Sequence, residues 1–166
     1  MNALLGDFGI ARYYIDSRST STGTTSSVGV TGTIGYIAPE YAGGGHLSTC
    51  GDVYSFGIVL LELMTGKRPT DPVFNDGLDI VKFVDSNFPH QIFQAIDTRL
   101  TEECRDFDPE KMTTGNAVYQ CLVSLLQVAL SCTHQLPSER VNMKQIANKM
   151  HDIKSSYQAK KYDPPE

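Results

Sequence analysis

Ser48-Thr49-Cys50-Gly51-Asp52-Val53-Tyr54-Ser55-Phe56-Gly57-Ile58-Val59-Leu60-Leu61-Glu62-Leu63-Met64-Thr65-Gly66 is the stretch on which the fold turns. Between Thr49 and Met64 the apolar side chains Val53, Tyr54, Phe56, Ile58, Val59, Leu60, Leu61, Leu63 and Met64 fall on every face of a helix. That distribution predicts a central helix enclosed by protein, not one lying on a surface. Ser48 and Thr49 open it, Asp52 follows Thr49 by three residues as a capping-box partner, and Gly66 then Pro69 close it. Its longest apolar run, Phe56 to Met64, is broken by Glu62 and falls far short of the roughly 20 residues needed to cross a bilayer.

Working outward, Leu78, Val81 and Val84 recur at helical spacing and predict a shorter amphipathic helix over 78–85, stopped before Pro89. Residues 92–109 read as an irregular connector. Val118, Leu122, Leu125, Leu126, Ala129 and Leu130 predict a second strongly apolar helix over 117–133, ending before Pro137. A last amphipathic helix over 143–153 rests on Met143, Ile146, Ala147, Met150 and Ile153, with Asn142 and Gln145 as its capping pair. After Ser155 the polar tail, ending in Pro164-Pro165, is expected to fray. On the N-terminal side, residues 17–33 are dominated by Ser, Thr and Gly, with too little apolar surface to offset their ordering entropy, and predict a mobile loop.

With 166 residues and 40% hydrophobic composition, the chain is long enough for one substantial core. A net charge of -5 without a cluster of Lys and Arg argues against nucleic acid or an anionic membrane surface as partners. Met1 to Asp7 lacks the basic start and apolar centre of a secretory signal, so the segment is expected to stay in the compartment where it is made. Cys50, Cys104, Cys121 and Cys132 form no metal-binding spacing, and about 16 Å of helical rise separates Cys121 from Cys132. All four read as reduced, mostly buried thiols of a cytosolic protein. His46, His90, His134 and His151 are scattered and read as surface or loop residues rather than bases.

Asp7-Phe8-Gly9 is followed thirty-one residues later by Ala38-Pro39-Glu40, which is preceded by Gly32-Thr33-Ile34-Gly35-Tyr36. Asp52-Val53-Tyr54-Ser55-Phe56-Gly57 comes next. This order resembles the protein-kinase signature, in which DFG and APE triplets bracket the activation segment. The resemblance covers residues 4–153. Thr65-Gly66-Lys67-Arg68-Pro69-Thr70-Asp71, with the run from Ser48, is similar to the serine/threonine kinases of plant leucine-rich-repeat receptors.

The resemblance implies a mostly α, truncated kinase-like fold: a C-terminal helical lobe with its activation segment, and no N-terminal lobe. It would divide the chain into a partial kinase domain over 1–154, with the activation segment at 7–40 and the helical lobe at 41–154, followed by a flexible tail over 155–166. Asp7 would be the Mg²⁺ carboxylate beside the ATP phosphates, with Phe8 and Gly9 completing that nucleotide-binding triplet. Thr33 and Gly35 would face the protein substrate, Thr33 carrying the hydroxyl that favours Ser or Thr acceptors. Glu40 and Arg140 would form a buried ion pair, although Val141 stands where the family often has proline. Asp52 would accept hydrogen bonds from the catalytic loop. Ser26, Ser27 and Thr31 are the candidate phosphorylation sites, each able to add a charge of about -1.5 to -2.

No G-x-G-x-x-G and no H-R-D occurs anywhere in the 166 residues. Phosphoryl transfer in this family needs both, together with a strand lysine. The isolated chain is therefore expected to bind neither ATP nor Mg²⁺ and to be inactive, with no catalytic residue of its own. The parent protein, from which the catalytic half would be missing here, for example because Met1 is internal to a longer frame, would be a plasma-membrane receptor with a cytoplasmic, ATP- and Mg²⁺-dependent kinase. Its partners would be protein substrates or co-receptor kinases, with no nucleic acid and no membrane contact by this segment. The alternative is a noncatalytic, kinase-derived interaction module. Without the preceding half, the helix over 53–64 is expected to expose a contiguous apolar patch and the fragment to be marginally stable.

Overall fold

The computed structural model describes residues 4, 6, 8, 9, 11, 32–42, 48–102 and 117–162. Among them the chain is helical, without strands: α1 (Pro39–Ala42), α2 (Thr49–Thr65), α3 (Ile80–Asn87), α4 (Ile92–Ala95), α5 (Thr98–Glu102), α6 (Ala117–Cys132), a 3₁₀ turn (Pro137–Glu139) and α7 (Met143–Tyr162). The Ser/Thr-rich loop expected over 17–33 lies outside the described residues apart from Gly32 and Thr33.

The long central helix exists, but it starts differently from the expected box. Ser48 is the N-cap, extended at φ -148° and ψ 160°, and its side chain makes no capping hydrogen bond, so no Thr49/Asp52 box forms. The hydroxyl of Tyr41 instead accepts from the Ser48 N–H and donates to the Ser48 carbonyl, both at 2.9 Å. At the other end Gly66 takes the left-handed conformation, and its N–H reaches the Glu62 carbonyl at 2.8 Å.

Helices α2 and α6 form the core. Ile58, Leu60, Leu61 and Met64 of α2 are buried, as are Leu122, Leu126, Val128, Ala129 and Cys132 of α6. Removing each large aliphatic side chain from water stabilises the fold by about 1.5–3 kcal/mol. Gly57 sets the closeness of the two helices: a Cβ there would lie 2.6 Å from Thr133 Cγ2 and 2.7 Å from Cys132 Cβ. Ile80 and Val84 of α3, Ile92 and Ala95 of α4, and Ile146 of α7 complete the cluster. Helix α2 is not enclosed on every side, however, because Val59 is 42% and Leu63 66% exposed. These two, one turn apart, are the solvent-facing part of the apolar helix.

Elsewhere the sequence expectations need adjustment. Helix α3 begins at Ile80 behind Asp79, whose carboxylate accepts from the Lys82 N–H at 2.8 Å; Leu78 lies outside it. The supposed connector after Ile92 contains α4 and α5. Helix α7 opens as expected, with Asn142 and Gln145 exchanging two 2.9 Å side-chain-to-backbone bonds. It then continues to Tyr162, nine residues beyond Ile153, where a frayed tail was expected. Cys132 is buried, but Cys50 and Cys121 are half-exposed, and Cys104 lies outside the described residues. His90, His134 and His151 are exposed, and His46 is not among the described residues.

Candidate functional site

Two junctions fasten the segment 32–42 to the helical core. The first holds the turn at 33–36, closed by the Tyr36 N–H donating to the Thr33 carbonyl at 3.1 Å. Gly35 sits at φ +93° against Pro69, where a Cβ would lie 2.8 Å from Pro69 Cγ. Both the backbone conformation and the close approach demand glycine. Ser55 of α2 donates its hydroxyl to the Tyr36 carbonyl at 2.7 Å, and the Tyr36 hydroxyl donates to the Glu62 carboxylate. That bond, with burial and the Glu62 charge behind it, pushes the Tyr36 phenol up to about 12. Thr33 is exposed, and Ile34, at the tip, is 78% exposed.

The second junction joins α1 to the loop before α7. Arg140 Nη1 and Nη2 donate to the two oxygens of Glu40 at 2.8 and 2.7 Å. Its remaining donors go to the carbonyls of His134 at 2.8 Å, Cys50 at 2.9 Å and Gln135 at 3.2 Å. All five guanidinium N–H groups are thereby used. The cation also lies 5.0 Å from the centre of the Tyr54 ring. The Arg140 side chain is 1% exposed and that of Glu40 17%. The Arg140 hydrogen bonds hold the Glu40 carboxyl below the usual carboxylate range, while burial raises the Tyr54 phenol.

The expected site residues are thus divided. Thr33 and Gly35 share one turn, and Glu40 and Arg140 meet across a hundred residues. Asp52 is exposed in the first turn of α2. Phe8 is 66% exposed and Gly9 is exposed, while Asp7, Ser26, Ser27 and Thr31 lie outside the described residues. Among the described residues no three His, Cys, Asp or Glu side chains cluster as a metal site would require. No described helix is long and apolar enough to cross a membrane.

Sequence reading does not mark Tyr36, Ser55, Glu62 or Pro69 as site residues, although Glu62 and Pro69 stand out in the helix pattern. The available signal was Glu62 itself, a lone carboxylate inside an apolar run, which needs a partner when half-buried.

A family model described as protein tyrosine and serine/threonine kinase matches residues 1–150. The rice (Oryza sativa subsp. japonica) receptor kinase-like protein Xa21 is 39% identical over 157 residues, covering 94% of this chain and 15% of Xa21. A putative leucine-rich repeat receptor-like serine/threonine-protein kinase of Arabidopsis thaliana, At2g24130, is 38% identical over 160 residues, covering 93% of this chain and 16% of its own length. The Arabidopsis receptor-like serine/threonine-protein kinase EFR is 34% identical over 158 residues, covering 95% and 14%. The chain therefore spans about one-seventh of the length of these relatives. Among solved structures, the pseudokinase domain of BIR2, an immune regulator of the RLK/Pelle family, aligns with a TM-score of 0.55 and 27% identity, over 74% of this chain and 34% of that one. With a helical lobe, a fastened segment ahead of it and these relatives, the chain belongs to the protein tyrosine and serine/threonine kinase family, and its relatives there include the leucine-rich-repeat receptor-like kinases of plants.

Proposed function

We propose that this chain is the activation segment (7–40) and helical lobe (41–154) of a receptor-like serine/threonine kinase that transfers phosphate from ATP to Ser or Thr of proteins at the cytoplasmic face of the plasma membrane. In this reading the kinase domain ends at 154, within α7, Thr33 and Gly35 face the substrate, and Ser26, Ser27 and Thr31 are candidate phosphorylation sites. Asp7 would hold Mg²⁺ once the preceding half of the domain supplied the other groups. The observation that carries the reading is the double fastening of segment 32–42, through Tyr36 to α2 and through Glu40 to Arg140. A peptide-facing segment must keep its shape while substrates come and go, because misplacement by about 1 Å costs orders of magnitude in rate.

The test has two arms. The pure 166-residue chain, given Mg²⁺ and labelled ATP, is expected to label neither itself nor a mixed Ser/Thr/Tyr peptide. Joined to the Gly-rich loop, lysine and H-R-D half of a rice or Arabidopsis relative, it is expected to label Ser and Thr. Labelling by the chain alone, or labelling of Tyr only by the chimera, would overturn the proposal.

A further inference from the structure

The turn 33–36 packs against a second turn, residues 68–71, just past the end of α2. The Asp71 N–H donates to the Arg68 carbonyl at 3.0 Å, and the Asp71 carboxylate accepts from the Arg68 N–H at 2.9 Å. The two turns touch at Gly35, where a Cβ would lie 2.8 Å from Pro69 Cγ and 3.4 Å from Thr70 Cγ2. Arg68 immediately precedes that contact, with its backbone fixed by both bonds to Asp71. Its side chain is not so engaged. Arg68 is exposed and forms no ion pair among the described residues, where Arg99 pairs with Asp97 and Arg140 with Glu40. The neighbouring carboxylates are already in use, Asp71 by the Arg68 N–H and Glu62 by the Tyr36 hydroxyl. The Tyr36 phenol, raised chiefly by its bond to Glu62, is drawn the other way by the charge of Arg68, so this cation stands near the turn 33–36. The negative end of α2 favours a cation, but Lys67 lies closer to it in sequence and supplies one.

We infer that Arg68 is a specificity-determining residue, whose guanidinium, beside the turn 33–36 that Pro69 packs against, pairs with an acidic side chain, Asp or Glu, of the protein substrate. The inference rests on the kinase reading. A guanidinium suits this role because it is charged at every working pH and its planar fork matches both oxygens of a carboxylate.

Peptide competition in the chimera tests it. One glutamate is moved stepwise through an otherwise neutral Ser/Thr peptide, on either side of the acceptor, with glutamine at the same place as the reference. At the place nearest Arg68, glutamate should be favoured about threefold to fivefold in kcat/KM, through KM, the size expected of an exposed charge contact. Arg68→Gln should erase that preference, Arg68→Glu should transfer it to a peptide with lysine at that place, and Arg68→Lys should retain part of it. The preference should also fade as salt is raised. The 166-residue chain should melt at the same temperature in each variant, since no described bond is made by the Arg68 side chain. A flat glutamate scan, a preference that survives Arg68→Glu, or early melting of Arg68→Gln would overturn the inference and leave the kinase reading intact. A chimera that labels no peptide sinks the kinase reading, and the inference falls with it.

Discussion

Arg140 and Arg99 form ion pairs of nearly the same length, 2.7 Å to Glu40 and 2.6 Å to Asp97, and in both cases the carboxyl is held below its usual range chiefly by the arginine's hydrogen bonds. Their surroundings differ. The Arg140 side chain is 1% exposed, spends its other donors on three carbonyls and links residues a hundred apart. Arg99 is 79% exposed and reaches only two residues back. A short distance reports good geometry, whereas the energetic consequence depends on what happens to each charge when the partner is removed. Arg99 would return to water, while Asp97, itself only 15% exposed, would keep its 3.0 Å bond from the residue-99 backbone N–H. Glu40 and Arg140 would leave a partner charge in the protein.

The comparison would be broken most directly by Glu40→Ala. We expect this substitution to cost about 3–5 kcal/mol in equilibrium unfolding by urea, because Arg140 stays buried with its charge only partly compensated. A change as small as that of an exposed pair would show that the carbonyls alone satisfy Arg140. Acid titration sharpens the contrast. The folded-state carboxyl of Glu40 ionises below its unfolded value of 4.5, so its stabilisation is fully present above pH 4.5 and is lost as pH falls through the lower, folded value. The acid limb of the melting temperature should therefore flatten in Glu40→Gln below pH 4.5, at the expense of lower stability near neutrality. The smallest effect belongs to Arg99→Ala, which should leave the melting temperature and its salt dependence unaltered within the precision of calorimetry.

Legibility in the sequence followed the strength of the local pattern. Helices α2 and α6 were visible because their apolar residues repeat over four or more turns, and the Asn142/Gln145 cap because it is a local, reciprocal exchange between named side-chain types. Helices α4 and α5, of four and five residues, are shorter than any periodicity requires to declare itself. The second half of α7 was lost for a different reason. From Ile153 to Ala159 it has little to bury, and straight-chain residues such as Lys154 and Gln158 favour the helix by propensity. The surrounding of α2 was overestimated: composition shows how many apolar residues a helix carries, but not which side a neighbour covers, and Val59 and Leu63 face water. At the site, Thr33, Gly35, Glu40 and Arg140 came from motif resemblance. Tyr36 and Glu62 are joined across twenty-six residues by one hydrogen bond, which leaves no local trace beyond an odd carboxylate in an apolar run.

The separation of a hundred residues between Glu40 and Arg140 bears on the order of events during folding. So long a loop cannot be closed cheaply at an early stage, and the guanidinium reaches its carbonyls only after α2 and α6 have docked and the turn before α7 has formed. The clasp is therefore expected to form late, after the barrier to folding has been crossed. Its loss should speed escape from the native basin while leaving the rate of arrival almost untouched, so that the junction governs how long the assembled lobe persists rather than how soon it appears.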